Sequence, residues 1–557
     1  MSKKASLDLL LKKGIITQEQ VDRAKEEASR TGIPIEKAME KLGFISQSDI
    51  AMVLAESMDL PFIDLTDYLV DPEVIKLIPE STAKKYQAVP LFKIGDSLTV
   101  AMSDPEDVVA LDEIRAKSKA SAVEPVVSTI DMIQKMIDQY YGAFGSAEEL
   151  VKGMTKEKIE ESSRTVAGLA EMAEETPVIK LVNLMIMQAV KDKASDIHIE
   201  PEDNAVNIRY RVDGILRKVQ EIPKHLQSAL ASRVKIMAKM DIAETRNPQD
   251  GRIQLKMESR NLDLRVSSFP TVYGENLVLR ILDKSAVLLN LTELGFSEAD
   301  LNTFDKLIRK PSGIILVTGP TGSGKTTTLY AALSKINSVE KNIITIEDPV
   351  EYEIPLIRQT QVNNRAGLTF ANGLRSILRQ DPDIVMVGEI RDKETADIAI
   401  QASLTGHLVF STLHTNDSTS SLTRLIDMGV EPFLISSSVI AILAQRLVRL
   451  ICPKCKEKYA PSPEVLSGLK LDSKMQFYRG KGCNNCRNSG FSGRIGIYEL
   501  LTINEEIKNM VCAKQSANEI RKKAIASGMR TLYDDGLEKV KNGSTTIEEV
   551  LRVTEEV

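Results

Sequence analysis

The stretch from Gly313 to Thr326, reading Gly-Ile-Ile-Leu-Val-Thr-Gly-Pro-Thr-Gly-Ser-Gly-Lys-Thr, constrains this chain more than any other. An apolar run leads straight into a GxxxxGK[ST] pattern, and Thr327 to Ile336 follow with helical spacing. Buried strand, glycine loop and helix in that order form a cradle for a phosphate chain. The glycines let backbone N–H groups come close, the helix N-terminus favours negative charge, Lys325 reaches the β/γ oxygens and Thr326 offers a hydroxyl to Mg²⁺. Gly319, Pro320, Thr321, Gly322, Ser323, Gly324, Lys325, Thr326 and Thr327 are the expected nucleotide contacts. Buried strands go on alternating with helices beyond the loop, which predicts an α/β domain with a mostly parallel sheet opening near Leu289.

Three more apolar runs end in chemistry. Ile343-Ile344-Thr345-Ile346 delivers Glu347-Asp348-Pro349-Val350-Glu351 to the carboxyl end of a strand, where open α/β sheets bind ligands. Three carboxylates beside a triphosphate would repel it unless Mg²⁺ or water activation used them. Ile384-Val385-Met386-Val387 ends in Gly388-Glu389, where P-loop proteins usually place an Asp on Mg²⁺; Glu389 is therefore expected to act through a metal-bound water. The segment from Leu404 to Asn416 puts His407 and His414, two of the four histidines, around one more buried strand. His407 is the favoured phosphate sensor, ahead of His414. His198, among alternating apolar neighbours, reads as a structural strand residue.

At 557 residues the chain exceeds a single core, so three or four domains are expected. Leu7 to Ser57 is helical in spacing, and the Leu10–Ile16 pattern is echoed at 38–45, a two-fold repeat. Short β runs such as Leu98–Ala101 and a helix over Met132–Tyr141 complete an N-terminal α/β domain over 1–143. Residues 144–175 read as a polar linker with some helix. A second α/β domain over 176–288 opens with a helix at Val178–Val190 and carries the alternating strands 206–212 and 262–266. The P-loop core follows over 289–450, a cysteine-bearing insertion over 451–498 and a helical C-terminal region over 499–557. A net charge of −6 gives no general pull toward nucleic acid. No apolar run is long enough to span a bilayer and Met1–Ser6 lacks the apolar core of a signal peptide, so a cytoplasmic protein is expected.

Four of the five cysteines form two CxxC pairs, Cys452/Cys455 and Cys483/Cys486. Four thiolates suit tetrahedral Zn²⁺, and a closed Cys₄ shell leaves no open position for catalysis, so the zinc would be structural. The leftover Cys512 reads as a small buried apolar residue.

Together, the P-loop, the acidic segment ending at Glu351, the Gly388-Glu389 ending and the histidine segment resemble the family of ATPases that drive type IV pilus extension and type II protein secretion. The resemblance covers the chain from about Thr176 to its end. It implies a RecA-like ATPase domain preceded by a PAS-like domain, ATP as substrate, and a homo-hexamer working peripherally at the inner membrane on a platform protein. It makes Glu351 the residue that activates water and Arg265 and Arg280, from the preceding domain, fingers to the phosphate, with Arg375 and Arg379 as further candidates. Assembly members of the family carry the cysteine insertion and retraction members lack it, so the resemblance favours pilus extension. Type II secretion and a regulatory nucleotide switch stay open. The N-terminal repeat resembles a domain that binds cyclic di-GMP in some relatives. The usual Arg and Gly of that domain are replaced by Ala5 and Leu7 in the first copy and by Pro34 and Glu36 in the second. Docking to a membrane partner is the leading reading there, with cyclic di-GMP the alternative.

Overall fold

The computed structural model describes residues 10–554 except positions 12, 14, 34, 142–175, 259, 284–288 and 462–474. The expected linker over 144–175 and the replaced positions Ala5, Leu7 and Pro34 therefore lie outside the described residues. The chain forms two compact units, Met1–Ser285 and Ala286–Val557.

In the first unit the N-terminal repeat is visible in the packing. Leu10 and Ile16 of the first copy and Met39 and Ile45 of the second are all buried in one small core. Matching backbone bonds close both turns, Ile15 N–H to Leu10 O at 3.1 Å and Phe44 N–H to Met39 O at 2.9 Å. Helices Gln18–Thr31 and Gln47–Ser57 start on capping boxes at Thr17/Gln20 and Ser46/Asp49, which satisfy otherwise orphaned N–H groups. A three-stranded sheet follows (Ala88–Ile94, Ser97–Met102, Ala122–Val127), backed by helix Ile130–Tyr141.

A seven-stranded sheet is the centre of this unit. Its order is Tyr68–Leu69, Gln249–Met257, Arg260–Thr271, Gly274–Asp283, Ala194–Pro201, Ala205–Val212 and Ile215–Pro223, antiparallel apart from the first pair. One face is apolar: Leu262, Leu264 and Val266, with Leu277, Leu279, Ile197, Ile199, Ile208 and Tyr210, pack on helices Thr176–Lys191 and Gln227–Met237. The other face is polar, and the period of two that separates them is plain in the sequences of strands Ala194–Pro201, Ala205–Val212 and Gln249–Met257. The sheet edge is covered at two points, where Lys256 N–H donates to Asp67 O at 2.9 Å and Arg252 N–H to Ala238 O at 3.3 Å.

The second unit is built on a sheet ordered Arg358–Gln361, Ile343–Glu347, Ile384–Val387, Leu408–Leu413, Gly313–Thr318, Val439–Ile451 and Phe491–Thr502, parallel except for the last strand. Apolar clusters cover both faces, which is why its strands read as continuous apolar runs. Phe491–Thr502 is the seventh strand of this sheet, so the cysteine-bearing loop joins two antiparallel neighbours and the 451–498 segment extends past that loop. Helices Glu505–Cys512 and Ala517–Ala526 bury Ile507, Val511, Ile520 and Ala524 against the same core. Cys512 is exposed rather than buried, because the periodicity that turns Ile507 and Val511 inward leaves the last residue of the helix outside.

Candidate functional site

The loop after Thr318 leaves the middle of the parallel sheet, and its glycines are required by geometry. Gly319 has φ 148°, and a Cβ there would lie 2.5 Å from Gln445 O and 2.7 Å from Ser323 Oγ. Gly324, at φ 89°, would place a Cβ 2.8 Å from Gln445 Nε2. The loop is thus pressed against strand Val439–Ile451, with no room for a Cβ at Gly319 or Gly324. The Ser323 hydroxyl is buried with no hydrogen-bond partner among the described residues, and Thr326 is exposed at the start of helix Lys325–Ile336. These features fit a bound phosphate chain and its metal.

Lys325 folds back over the loop, donating to Gly319 O at 2.8 Å and Pro320 O at 3.1 Å. Burial pulls its pKa down to about 8; the nearby Glu389 charge works against this and the Arg446 charge adds to it. Arg446 is itself buried beneath the loop, donating to Asn416 O at 2.8 Å and Gln445 O at 3.1 Å. Gln445 Oε1 takes the Thr328 hydroxyl at 2.8 Å. Sequence reasoning missed Gln445 and Arg446; the signal was a polar pair interrupting the apolar run Val439–Ala444.

Glu389 ends its strand at the same sheet edge, its side chain nearly covered. His414 Nε2 lies 3.1 Å from its Oε2, and Arg391 pairs with its Oε1. His407 does not reach this edge. Strands Gly313–Thr318 and Leu408–Leu413 run parallel in register, Gly313 beside Leu408 and Thr318 beside Leu413. His407 therefore stands at the amino end, roughly 20 Å from the P-loop end at about 3.3 Å per residue, with Nδ1 2.8 Å from Ala402 O. His407, the expected phosphate sensor, thus stands at the opposite end of the strand, and His414 is the histidine placed beside the P-loop.

Glu347 is also repositioned. It is buried as the last residue of its strand, accepting from Thr345 Oγ1 at 2.6 Å, Gln359 Nε2 at 3.2 Å and the Tyr330 hydroxyl. Burial pushes its pKa up against those hydrogen bonds, so it is a core acid rather than a metal-facing one. The Tyr330 oxygen also accepts Glu351 N–H at 3.3 Å, which ties the half-buried Glu351 to the helix that follows the P-loop.

Arg375 pairs with Glu394 at 2.6 Å and Arg379 donates to Arg375 O at 3.0 Å, both on the surface. In the first unit, Arg265 and Arg280 are cross-strand partners on the polar sheet face, Arg265 half-buried and Arg280 exposed. His198 lies on the same face, 3.3 Å from Glu200, with burial pulling its pKa down.

The four paired cysteines converge at the mouth of the strand pair Val439–Ile451 and Phe491–Thr502. Their sulfurs all lie within 4.8 Å of one another, with 3.9 Å between Cys452 and Cys483 and 3.7 Å for both Cys455–Cys486 and Cys483–Cys486. Tetrahedral zinc with bonds of about 2.3 Å sets sulfurs about 3.8 Å apart, so the cluster fits that ion.

A glycine-cradled loop on a parallel sheet, with a lysine, an acid and a histidine gathered at its carboxyl edge, defines a P-loop nucleoside triphosphatase. The model of the family described as type II/IV secretion system protein matches residues 171–552, and that of the MshEN domain matches 58–147. The chain is 44% identical to a type IV pilus assembly ATPase of Myxococcus xanthus across 98% of both chains, and 43% identical to a type II secretion system protein E of Xanthomonas campestris across 99% of this chain and 98% of that one. An ATPase structure from Legionella pneumophila shares the fold at a TM-score of 0.51 with 21% identity, covering 67% of this chain and 95% of that one. This chain belongs to the type II/IV secretion system protein family, and it is an ATP-hydrolysing member. Among the described residues no helix is long and apolar enough to cross a membrane.

Proposed function

We propose that the chain is one subunit of a homo-hexameric cytoplasmic ring that hydrolyses Mg·ATP to power type IV pilus assembly through an inner-membrane platform protein. What carries this reading is the meeting of Lys325, Glu389 and His414 at one sheet edge, in a chain similar over 98% of its length to a type IV pilus assembly ATPase. Lys325 exchanges the loop carbonyls for β/γ oxygens, and Thr326 offers its hydroxyl to Mg²⁺. That ion neutralises phosphate charge when bound. Glu351 orients and activates the attacking water, while Glu389, steadied by His414 and Arg391, faces the metal's water shell. Arg265 and Arg280 act as fingers on closure, since a guanidinium pairs bidentately with phosphate oxygens and keeps its charge; Arg375 and Arg379 are supporting candidates. Zinc at Cys452, Cys455, Cys483 and Cys486 is structural.

The working division is platform docking through 1–143, a linker over 144–175, arginine supply from 176–288, hydrolysis in 289–450, zinc in 451–498 and a helical region in 499–557. Cyclic di-GMP acting on the N-terminal region is a secondary reading, checked by titrating the full chain with that nucleotide. The decisive experiment deletes the gene and scores surface pili against secreted protein, alongside steady ATP turnover by the purified chain. Loss of pili with secretion intact is expected. Loss of secretion with pili intact moves the assignment to type II secretion, a reading that the Xanthomonas relative at 43% identity favours. A chain that binds ATP without sustained turnover is a switch and not a motor.

A further inference from the structure

The polar face of the antiparallel sheet holds five charged residues in one cross-strand row. Arg252 is the register partner of Arg265, Arg265 of Arg280, Arg280 of Asp196, and Asp196 of Arg211. Adjacent strands lie about 4.8 Å apart, so four guanidiniums and one carboxylate share a line of roughly 19 Å. Like charges directly opposite destabilise a sheet, and here two buried carboxylates offset the repulsion. Asp263 takes Arg252 with both oxygens, one bond being Nε to Oδ1 at 2.5 Å. Asp196 accepts Arg280 Nε at 3.0 Å, Arg211 Nε at 3.4 Å and the Ser195 hydroxyl at 2.8 Å.

The two carboxylates hold their arginines differently. Asp263 takes both Nε and Nη2 of Arg252, one edge of that guanidinium, so only Nη1 is left with both hydrogens uncommitted. Asp196 engages Arg280 through Nε alone. The Nη1 and Nη2 groups of Arg280 make no hydrogen bond among the described residues, and the side chain is 58% exposed. Asp196 itself is only 8% exposed at the side chain, so its carboxylate is a fixed anchor.

We propose that Asp196 is a positioning residue for the reaction: it grips Arg280 at Nε and leaves the two Nη groups as a preset fork for phosphate oxygens. An arginine held this way gives up less rotamer freedom when it engages a phosphate, which is preorganisation. The inference rests on the reading of Arg280 as a finger. It also assigns a role to the aspartate of Ser195-Asp196-Ile197-His198, a charged residue buried on an otherwise polar face.

The test is a double-variant cycle on the full chain, reading kcat and KM for ATP with thermal stability alongside. Asp196→Asn keeps the side-chain size and removes the charge. It should lower kcat on the order of ten- to hundredfold, the cost of a misplaced group, with KM within about twofold. In an Arg280→Ala background the same substitution should have no further effect on kcat. Asp196→Glu, which keeps the charge, should lose less than Asp196→Asn, and it serves if the Asn form folds poorly. Losses that multiply in the double variant, or equal losses for Glu and Asn, overturn the role of Asp196 while leaving the finger in place. Normal turnover in Arg280→Ala removes the finger and this inference with it.

Discussion

The parallel sheet around Gly313–Thr318 is buried on both faces, whereas the antiparallel sheet around Arg260–Thr271 buries one face and exposes the other. The first can offer chemistry only at its carboxyl edge, where strands end and loops begin. The second offers it across a face, where register sets the order of side chains. Substitutions at the edge and on the face therefore test the two sheets separately.

Lys325→Ala is the most severe way to break the edge: hydrolysis should fall to background while the melting temperature changes little, because backbone conformation shapes the loop. Wild-type turnover in that variant would end the P-loop assignment. Glu351→Gln should keep ATP binding and lose about 10²–10⁴ in kcat as the general base is removed; if only Glu389→Gln blocked turnover, the two acids would exchange roles. His414→Ala and His407→Ala sharpen the edge argument, since the residues flank one strand. The first should cut kcat about tenfold or more on the scale of a lost proton-handling or charge-stabilising group, and the second should leave it within about twofold. The reverse ranking would show that His407 acts on a site outside its own chain.

Two further experiments concern parts that belong to neither edge nor face. Cys452→Ser should lower zinc content from one per chain and melting temperature together, since opening a closed Cys₄ shell removes folding energy rather than chemistry. Metal-free protein of unchanged stability would refute this. The smallest effect is expected at Glu549, which is buried and bridged to Arg449 at 2.6 Å and Arg552 at 2.9 Å. Burial pushes its pKa up, but the two guanidiniums more than reverse that and hold it near 2. A carboxylate depressed in the fold contributes stability above its unfolded pKa, so the contribution is full above about pH 4.5 and is lost as pH falls toward 2. Glu549→Gln should flatten that part of an acid-denaturation curve, and an unchanged curve would remove the attribution.

The site was legible in the sequence wherever local pattern and function coincide. The strand–loop–helix of the P-loop, each CxxC pair and the apolar runs leading to Glu351 and Glu389 are patterns that stay within about two dozen residues of chain. What could not be read depends on partners distant in sequence. Tyr330 reaches Glu347 and Glu351, Thr328 reaches Gln445, and Asp196 meets Arg280 from 84 residues away. Glu347 reads in the sequence as one of three carboxylates delivered to the strand end, but its side chain turns into the core. The choice between His407 and His414 was decidable in principle, since ligands gather at the carboxyl ends of parallel strands and only His414 follows one.

The edge of the arginine-bearing sheet has a bearing on how the chain could be shortened. Strand Gln249–Met257 would be a bare template for another copy, and Tyr68–Leu69 pairs with Lys256 and Met257 at one end of it. Tyr68 adds a side-chain bond to Glu258 O at 2.6 Å, and Leu69 is buried in the second domain's core. Two residues from the N-terminal region thus cover one end of an edge strand that would otherwise present unpaired backbone groups. A fragment starting beyond them would uncover the strand end and an apolar recess together, which ties the solubility of this sheet to two residues of the N-terminal region.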